Sequence, residues 1–172
     1  MTKRLYTIGH GIRSINSFIK TLIENKVKCL VDVRSYPGSR YVPQFNQRRL
    51  ATSLHKYHIK YIHLSELGGR RRYPNFHHPS ITVAAFASYA EYMMTKDFKI
   101  GLAKLKKVAR KCRTAIMCAE TLYWQCHRRM ISDRLEYDKW KVFHLGITKA
   151  PIRHTIWNIS RRNQSNQIIY DR

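Results

Sequence analysis

The sequence predicts a single α/β domain with a mostly parallel sheet and helices on both faces of that sheet. Short β-prone runs alternate with segments of helical periodicity along most of the chain, which is the pattern of βαβ units. The run at residues 27–34 is continuously apolar at its centre, as expected of a parallel strand covered on both faces. A chain of 172 residues is long enough to bury such a core.

The first βαβ unit is predicted within the first 34 residues. A short strand at residues 4–8 stops at Gly9-His10-Gly11, and Ser14 is placed to cap a helix over residues 15–25. Apolar residues recur along one face of that helix, and the strand at residues 27–34 follows it directly.

The rest of the chain continues the alternation, with loops where proline and glycine cluster. Residues 1–146 are predicted to form the α/β domain, and residues 147–172 a polar, basic C-terminal extension. The remaining elements are a helix from Asn46 to Tyr57, a strand at 59–64, a basic loop at 70–80, helices at 84–94 and 98–111, a strand at 114–118, a helical run up to Leu135, and a last strand at 140–145.

The charge balance points to a polyanionic partner. Thirty-three Lys and Arg face ten Asp and Glu, which gives a net charge of +23. Nucleic acid or a phosphate-bearing ligand is the first candidate, since cations placed at phosphates release condensed counterions; a protein kept soluble by charge is the alternative. Basic and aromatic residues are interleaved in a loop predicted to bind nucleic acid: Arg70, Arg71, Arg72 and Tyr73.

The sequence contains no signal-peptide core and no run of apolar residues long enough to span a bilayer. We therefore expect a soluble cytoplasmic protein without a membrane partner. In that compartment its four cysteines are expected to be thiols rather than disulfides.

Polar residues follow the predicted strands at the points where the strands end. In an open α/β sheet the carboxyl ends of parallel strands share one edge, and ligands bind there. The densest cluster spans residues 118–129, where Cys118 is a candidate nucleophile and Glu120 or His127 a candidate general acid or base. His10 is a further candidate acid or base. We expect these four residues to gather around one pocket together with Asp32, Arg34, Cys126 and Arg128.

The same edge carries residues predicted to bind phosphate or another ligand: Asp32, Arg34, Arg40, Cys126 and Arg128. Asp32 is expected to orient Arg34, although a purely local ion pair would explain these two residues equally well. No metal site and no cofactor are predicted, because zinc motifs pair cysteines two to four residues apart, whereas Cys118 and Cys126 are eight apart. A buried, inert Cys118 is the alternative to a reactive one.

Several motifs in this order resemble the domain-of-unknown-function family 488. They are Tyr6-Thr7-Ile8-Gly9-His10, Val31-Asp32-Val33-Arg34, Tyr61-Ile62-His63-Leu64 with Leu67-Gly68-Gly69, and Met117-Cys118-Ala119-Glu120 with Cys126-His127-Arg128. The resemblance spans about residues 5–145 and implies the α/β fold and the location of the site, but no reaction. Gly11 stands where the family usually has Ser. A likeness to rhodanese-like domains rests on Asp32-Val33-Arg34 and a strand-end cysteine, without their glycine-bearing anion loop.

Three functions are compatible with these features. The first is an enzyme that processes nucleic acid or nucleotides at a Cys/His/Arg pocket. The second is a non-catalytic nucleic-acid-binding module, and the third is a thiol-based redox or sulfur-handling domain. The oligomeric state is not indicated by the sequence.

Overall fold

The computed structural model describes residues 3–172, which form an α/β fold as predicted. The helices and strands, in chain order, are β1 Arg4–Gly9, α1 Ile15–Glu24, β2 Cys29–Asp32, α2 Gln47–His55, β3 Lys60–His63, α3 Ala84–Tyr92, α4 Lys96–Lys111, β4 Thr114–Cys118, α5 Arg128–Tyr137, β5 Lys141–Leu145, β6 Ile152–Arg153, β7 Ser160–Arg162 and β8 Ile168–Tyr170. Within residues 3–172, every helix is too short or too polar to cross a bilayer.

Six strands form one sheet in the order β3-β2-β4-β1-β5-β6, and β7 and β8 form a separate hairpin. The first five strands are parallel, and only β6 runs antiparallel, against β5. Each face of the sheet carries its own apolar core. One core is built on Phe18, Leu22 and Leu50 of α1 and α2, and the other on residues of α3, α4 and α5 such as Tyr89 and Leu105. Helices therefore cover both faces.

Side-chain caps explain where α1 and α4 begin. The Ser14 side chain accepts a hydrogen bond from Ser17 N at the start of α1, as the sequence predicts. Thr95 caps α4 in the same way through Phe98 N, so this helix begins at Lys96, two residues before the predicted start. Thr95 followed by Asp97 in the first turn is the sequence signal that would have predicted this earlier start.

The segment after β4 differs from the sequence prediction. Residues 119–122 are not helical, and α5 begins only at Arg128. Their backbone instead crosses the end of β1, where Gly11 N donates to Ala119 O and His10 N donates to Cys118 O. Because the carbonyl groups of Cys118 and Ala119 accept these hydrogen bonds, they are not available to start a helix.

The residues predicted as a basic extension, 147–172, carry three short strands. β6 continues the main sheet beside β5, so the predicted boundary at residue 146 falls between two paired strands. Ile168, Ile169 and Tyr170 of β8 are buried, and Tyr170 belongs to the core formed with α3, α4 and α5.

The loops after β1 and β4 leave these neighbouring strands in opposite directions. The chain runs from β1 to β2, which lies beyond β4, and from β4 to β5, which lies beyond β1. The loops therefore cross, and the Glu120–Thr121 backbone passes so close to Gly9 that a Cβ there would meet Glu120 O at 1.8 Å. Such a reversal point is where open α/β sheets bind ligands.

We predict that Gly9→Ala destabilises the protein by more than about 2 kcal/mol, because the added methyl group must displace backbone rather than a flexible side chain. Urea-induced unfolding measures the effect. Gly38→Ala is the matched control, since the nearest atom to its added Cβ is 4.0 Å away. Equal stability of the two variants would contradict the crossing.

Candidate active site at the carboxyl edge of the sheet

A cavity of about 420 Å³ lies at the carboxyl ends of β1, β2 and β4. Its walls include six of the eight residues predicted to gather around one pocket: His10, Arg34, Cys118, Glu120, Cys126 and His127. Three separate segments of the chain thus meet at one place, as the positions of the strand ends predict. Gly69 and Arg70 line the cavity as well, from the segment that follows β3.

Asp32 and Arg34 form a buried ion pair on one side of the cavity. Asp32 is fully buried, and its carboxylate accepts hydrogen bonds from Arg34 Nη2 at 2.7 Å and from Tyr61 Oη at 2.6 Å. Arg34 Nη2 also donates to Phe45 O at 2.7 Å, which fixes the plane of the guanidinium. Asp32 therefore orients Arg34, and Arg34 brings a fixed positive charge to the cavity wall.

His10 lies beside this pair as a neutral imidazole. Its Nδ1 donates to Gly11 O at 2.8 Å, which leaves Nε2 to accept from Arg34 Nη1 at 3.3 Å. Burial, and then the charge of Arg34, lower the pKa of His10 below its usual range. The ring stacks on Phe45 with the centroids 4.4 Å apart. His10 thus has a fixed tautomer and a fixed plane.

The two thiols and one imidazole form a compact cluster on the opposite wall. His127 Nδ1 lies 3.5 Å from Cys126 Sγ and 3.9 Å from Cys118 Sγ. His127 Nε2 lies 3.0 Å from Val33 O, and because a carbonyl can only accept, Nε2 carries the hydrogen. In the form of the ring that carries a single hydrogen, the unprotonated Nδ1 therefore points at both sulfurs. All three side chains are buried.

Gly69 makes room for this imidazole. A Cβ at Gly69 would meet His127 Nδ1 at 2.5 Å, so the Gly68-Gly69 segment after β3 passes directly over the ring. The ring is also held edge-on by Tyr89, with the centroids 5.0 Å apart. The orientation of His127 is therefore set by packing as well as by its hydrogen bond.

Arg128 hydrogen-bonds to the cluster but does not line the cavity. Its guanidinium is almost fully buried and donates from Nε to Cys126 Sγ at 3.4 Å and from Nη2 to Glu120 O. Burial raises the pKa of the Cys126 thiol, but interaction with Cys118 and the charges of His127 and Arg128 outweigh burial and hold this pKa well below its usual range. Interaction with Cys126 and burial raise the pKa of Cys118. Of the two thiols, Cys126 is therefore the more readily deprotonated.

A chain of hydrogen bonds leads from Arg128 to a buried carboxylate. Arg128 Nη1 donates to Thr7 Oγ1 at 3.3 Å, and Thr7 Oγ1 lies 2.7 Å from His144 Nδ1. His144 Nε2 lies 2.9 Å from His154 Nδ1, and His154 Nε2 lies 2.9 Å from Asp133 Oδ1. With both rings neutral, every group donates in the same direction, from the guanidinium toward the carboxylate.

The carboxylate of Asp133 accepts hydrogen bonds from three residues of the C-terminal segment. Besides the bond from His154, it accepts from Trp157 N at 2.9 Å and from Tyr170 Oη at 3.0 Å. The sequence analysis did not predict this series of hydrogen bonds, whose residues lie on β1, β5, α5 and the segment after β5. Thr7 and His144 are register partners on adjacent strands, a relation visible only once the strand order is known.

The other predicted residues lie around or outside the cavity. Arg70 lines it and lies over the Tyr36 ring at 5.6 Å. Arg71 donates to Gly68 O and Ser65 O and packs 3.8 Å from the Tyr92 ring, so its donors already have protein partners. The remaining three are exposed and do not line the cavity: Arg40, Arg72 and Tyr73. Glu120 contributes an exposed side chain at the rim.

The chain matches the family profile described as Domain of unknown function DUF488 over residues 14–135, which is more than half of its length. This protein belongs to that family. The resemblance noted from the motifs is thereby confirmed. Neither the curated proteins nor the solved structures contain a match. In this DUF488 protein, the matched residues include the Asp32–Arg34 pair and the cysteine cluster, whereas His10, His144 and His154 lie outside them.

We predict that the free energy of unfolding falls as the pH drops below about 6.5. Burial, followed by the nearby charges of Arg128 and Arg153, lowers the pKa of His144 to about 2. The unfolded chain then binds more protons than the folded one below pH 6.5, so His144 costs up to about 1.4 kcal/mol of stability per pH unit.

Urea unfolding at pH 7, 6 and 5 tests this dependence. His144→Gln should be less stable than the native protein at pH 7, yet its stability should fall less steeply with acidification. The same pH dependence in both proteins would show that His144 is not held neutral by the fold.

Proposed function

We propose that this DUF488 protein binds nucleic acid or a related phosphate-bearing polyanion, and that a phosphate-bearing group of this ligand enters the cavity. There it would meet the cluster of Cys118, Cys126 and His127, which we propose as the reacting groups. The observation that carries the proposal is the excess of cations that have no acidic partner, part of which lies at the cavity itself.

The acidic side chains are already engaged within the protein. Six of the ten form ion pairs with Lys or Arg, and two more are hydrogen-bonded to His: the six are Glu24, Asp32, Glu66, Glu136, Asp138 and Asp171, and the two are Glu91 and Asp133. The remaining positive charge repels itself in the folded state, and a polyanion relieves that repulsion. Binding driven by counterion release follows directly.

Two guanidiniums mark where a phosphate would enter. Arg34, whose charge is balanced by Asp32, is fixed on the wall as a hydrogen-bond donor. Arg70, which has no acidic partner within residues 3–172, lies at the exposed rim beside Tyr36. Tyr36 is 72% exposed, so its ring is free to stack on a base while Arg70 contacts the backbone. Exposed aromatic and basic side chains in alternation suit single strands, which expose both faces of each base.

We predict salt-sensitive binding of single-stranded DNA and RNA with little sequence preference. If about four phosphates are neutralised, affinity falls on the order of a hundredfold between 50 and 200 mM salt. Fluorescence anisotropy with labelled oligonucleotides at several salt concentrations measures this slope. Replacing both Arg70 and Arg72 with Ala should weaken binding and flatten the slope by about 2.

The matched control is the replacement of Lys99 and Lys107, which lie exposed on α4 outside the cavity, with Ala. It removes the same charge and should change affinity less. Equal effects of the two double variants would place binding elsewhere on the surface. Affinity independent of salt would reject polyanion binding altogether.

We predict that Ala85→Trp weakens oligonucleotide binding by at least about tenfold without changing net charge, because Ala85 is exposed on the cavity wall and an indole there would obstruct it. Ala103→Trp, at an exposed position of α4, is the control and should bind normally. If both variants bind like the native protein, the ligand does not enter the cavity. In that case a non-catalytic binding module is the better description.

A further inference from the structure

The three ligating atoms of the cysteine–histidine cluster are close enough to share one ion. Cys118 Sγ, Cys126 Sγ and His127 Nδ1 all lie within 4.8 Å of one another. Zn–S bonds of about 2.3 Å and Zn–N bonds of about 2.0–2.1 Å give a tetrahedral S···N edge of roughly 3.5 Å. The observed S···N edges, 3.5 and 3.9 Å, lie within a few tenths of an ångström of this value, and the two sulfurs lie within 4.8 Å of each other.

The histidine is already in the tautomer that a metal requires. Its Nε2 donates to Val33 O, which directs the lone pair of Nδ1 toward the two sulfurs. A metal-ligating histidine almost always donates its other ring N–H to a carbonyl or carboxylate in this way. Gly69 and Tyr89 fix the ring further, so the ligand is preorganised.

The charges around the cluster also fit a divalent ion. Two thiolates, a neutral imidazole and a divalent cation sum to zero, so binding places no net charge among buried side chains. Arg128 donates to Cys126 Sγ from both its backbone N and its Nε, at 3.5 and 3.4 Å. Such N–H groups hydrogen-bond to a metal-bound thiolate and stabilise it.

The ligand set opens onto the cavity. All three ligands line its wall, and no other Cys, His, Asp or Glu joins the group within residues 3–172. Three protein ligands with an open fourth position are the arrangement of catalytic zinc sites, whereas structural sites have four. Thiolate and imidazole ligands together favour zinc over magnesium or calcium.

We propose that Cys118, Cys126 and His127 bind one zinc ion whose fourth position faces the cavity. On binding, each thiol releases one proton to solvent, and His127 contributes its free Nδ1 lone pair. The open position takes a water molecule or an oxygen of the cavity ligand. This inference deepens the proposed function by naming the group that acts on the ligand, yet it stands on the cluster alone and does not require polyanion binding.

The test uses the full chain loaded with Co²⁺, which reports on thiolate ligation and geometry through its absorption. We expect one equivalent of Co²⁺ to give thiolate charge-transfer bands and intense tetrahedral visible bands, and equimolar Zn²⁺ to displace it. Cys118→Ser and Cys126→Ser should each lose these bands. Cys112→Ser is the control, because Cys112 lies outside the cluster, and it should retain them.

A second measurement uses only the native protein, so it does not depend on whether a variant folds. In the zinc-loaded native protein, chelation should make two further thiols reactive toward a thiol reagent, and zinc should protect them again. Azide should shift the visible Co²⁺ bands if the fourth position is open. None of these results depends on nucleic acid, so a failure here is distinguishable from a failure of polyanion binding.

Three results would overturn the proposal. The first is the absence of a saturable Co²⁺ spectrum in the native protein. The second is the same spectrum in Cys118→Ser and Cys126→Ser. The third is a Cys118–Cys126 disulfide that forms readily in the presence of zinc, which would assign the pair to thiol redox chemistry.

Discussion

The fold around the site depends on burying one guanidinium. Arg128 is about 1% exposed, yet it forms no ion pair with any carboxylate of residues 3–172. A buried charge without compensation costs several kcal/mol. Its compensation comes in two parts, from Cys126 on the cavity side and from the chain through Thr7 and the two histidines to Asp133 on the other. The cavity and the C-terminal strands therefore meet at a single side chain.

The sequence was sufficient to predict the fold and the location of the cavity. Both follow from a property of parallel sheets: all their carboxyl ends lie at one edge, so residues such as His10, Arg34 and Cys118 must be neighbours if they follow strands. The prediction needed only the strand ends, not the strand order. It succeeded because the strands are short, strongly apolar and clearly punctuated by glycine and polar residues.

What the sequence could not predict depends on tertiary register. Cys118 and Cys126 are eight residues apart in sequence, and the spacing does not reveal that the loop crossing β1 brings their sulfurs and His127 Nδ1 within 4.8 Å of one another. The series of hydrogen bonds through His144 and His154 requires β1 and β5 to be adjacent, and no local sequence pattern reveals that they are. The strands after residue 146 are two or three residues long, too short for an alternating pattern to be recognised.

The central position of the first strand has a consequence for synthesis. β1 pairs on one side with β4 and on the other with β5, strands that lie more than 100 residues later in the chain. While the chain emerges from the ribosome, β1 has no neighbour until β4 has been made and lacks its second neighbour until β5 has been made, and His154 follows later still. Contacts so distant in sequence form slowly. The site is therefore among the last parts of the protein to assemble, so a nascent chain released early would expose two apolar strand edges and lack the cluster entirely.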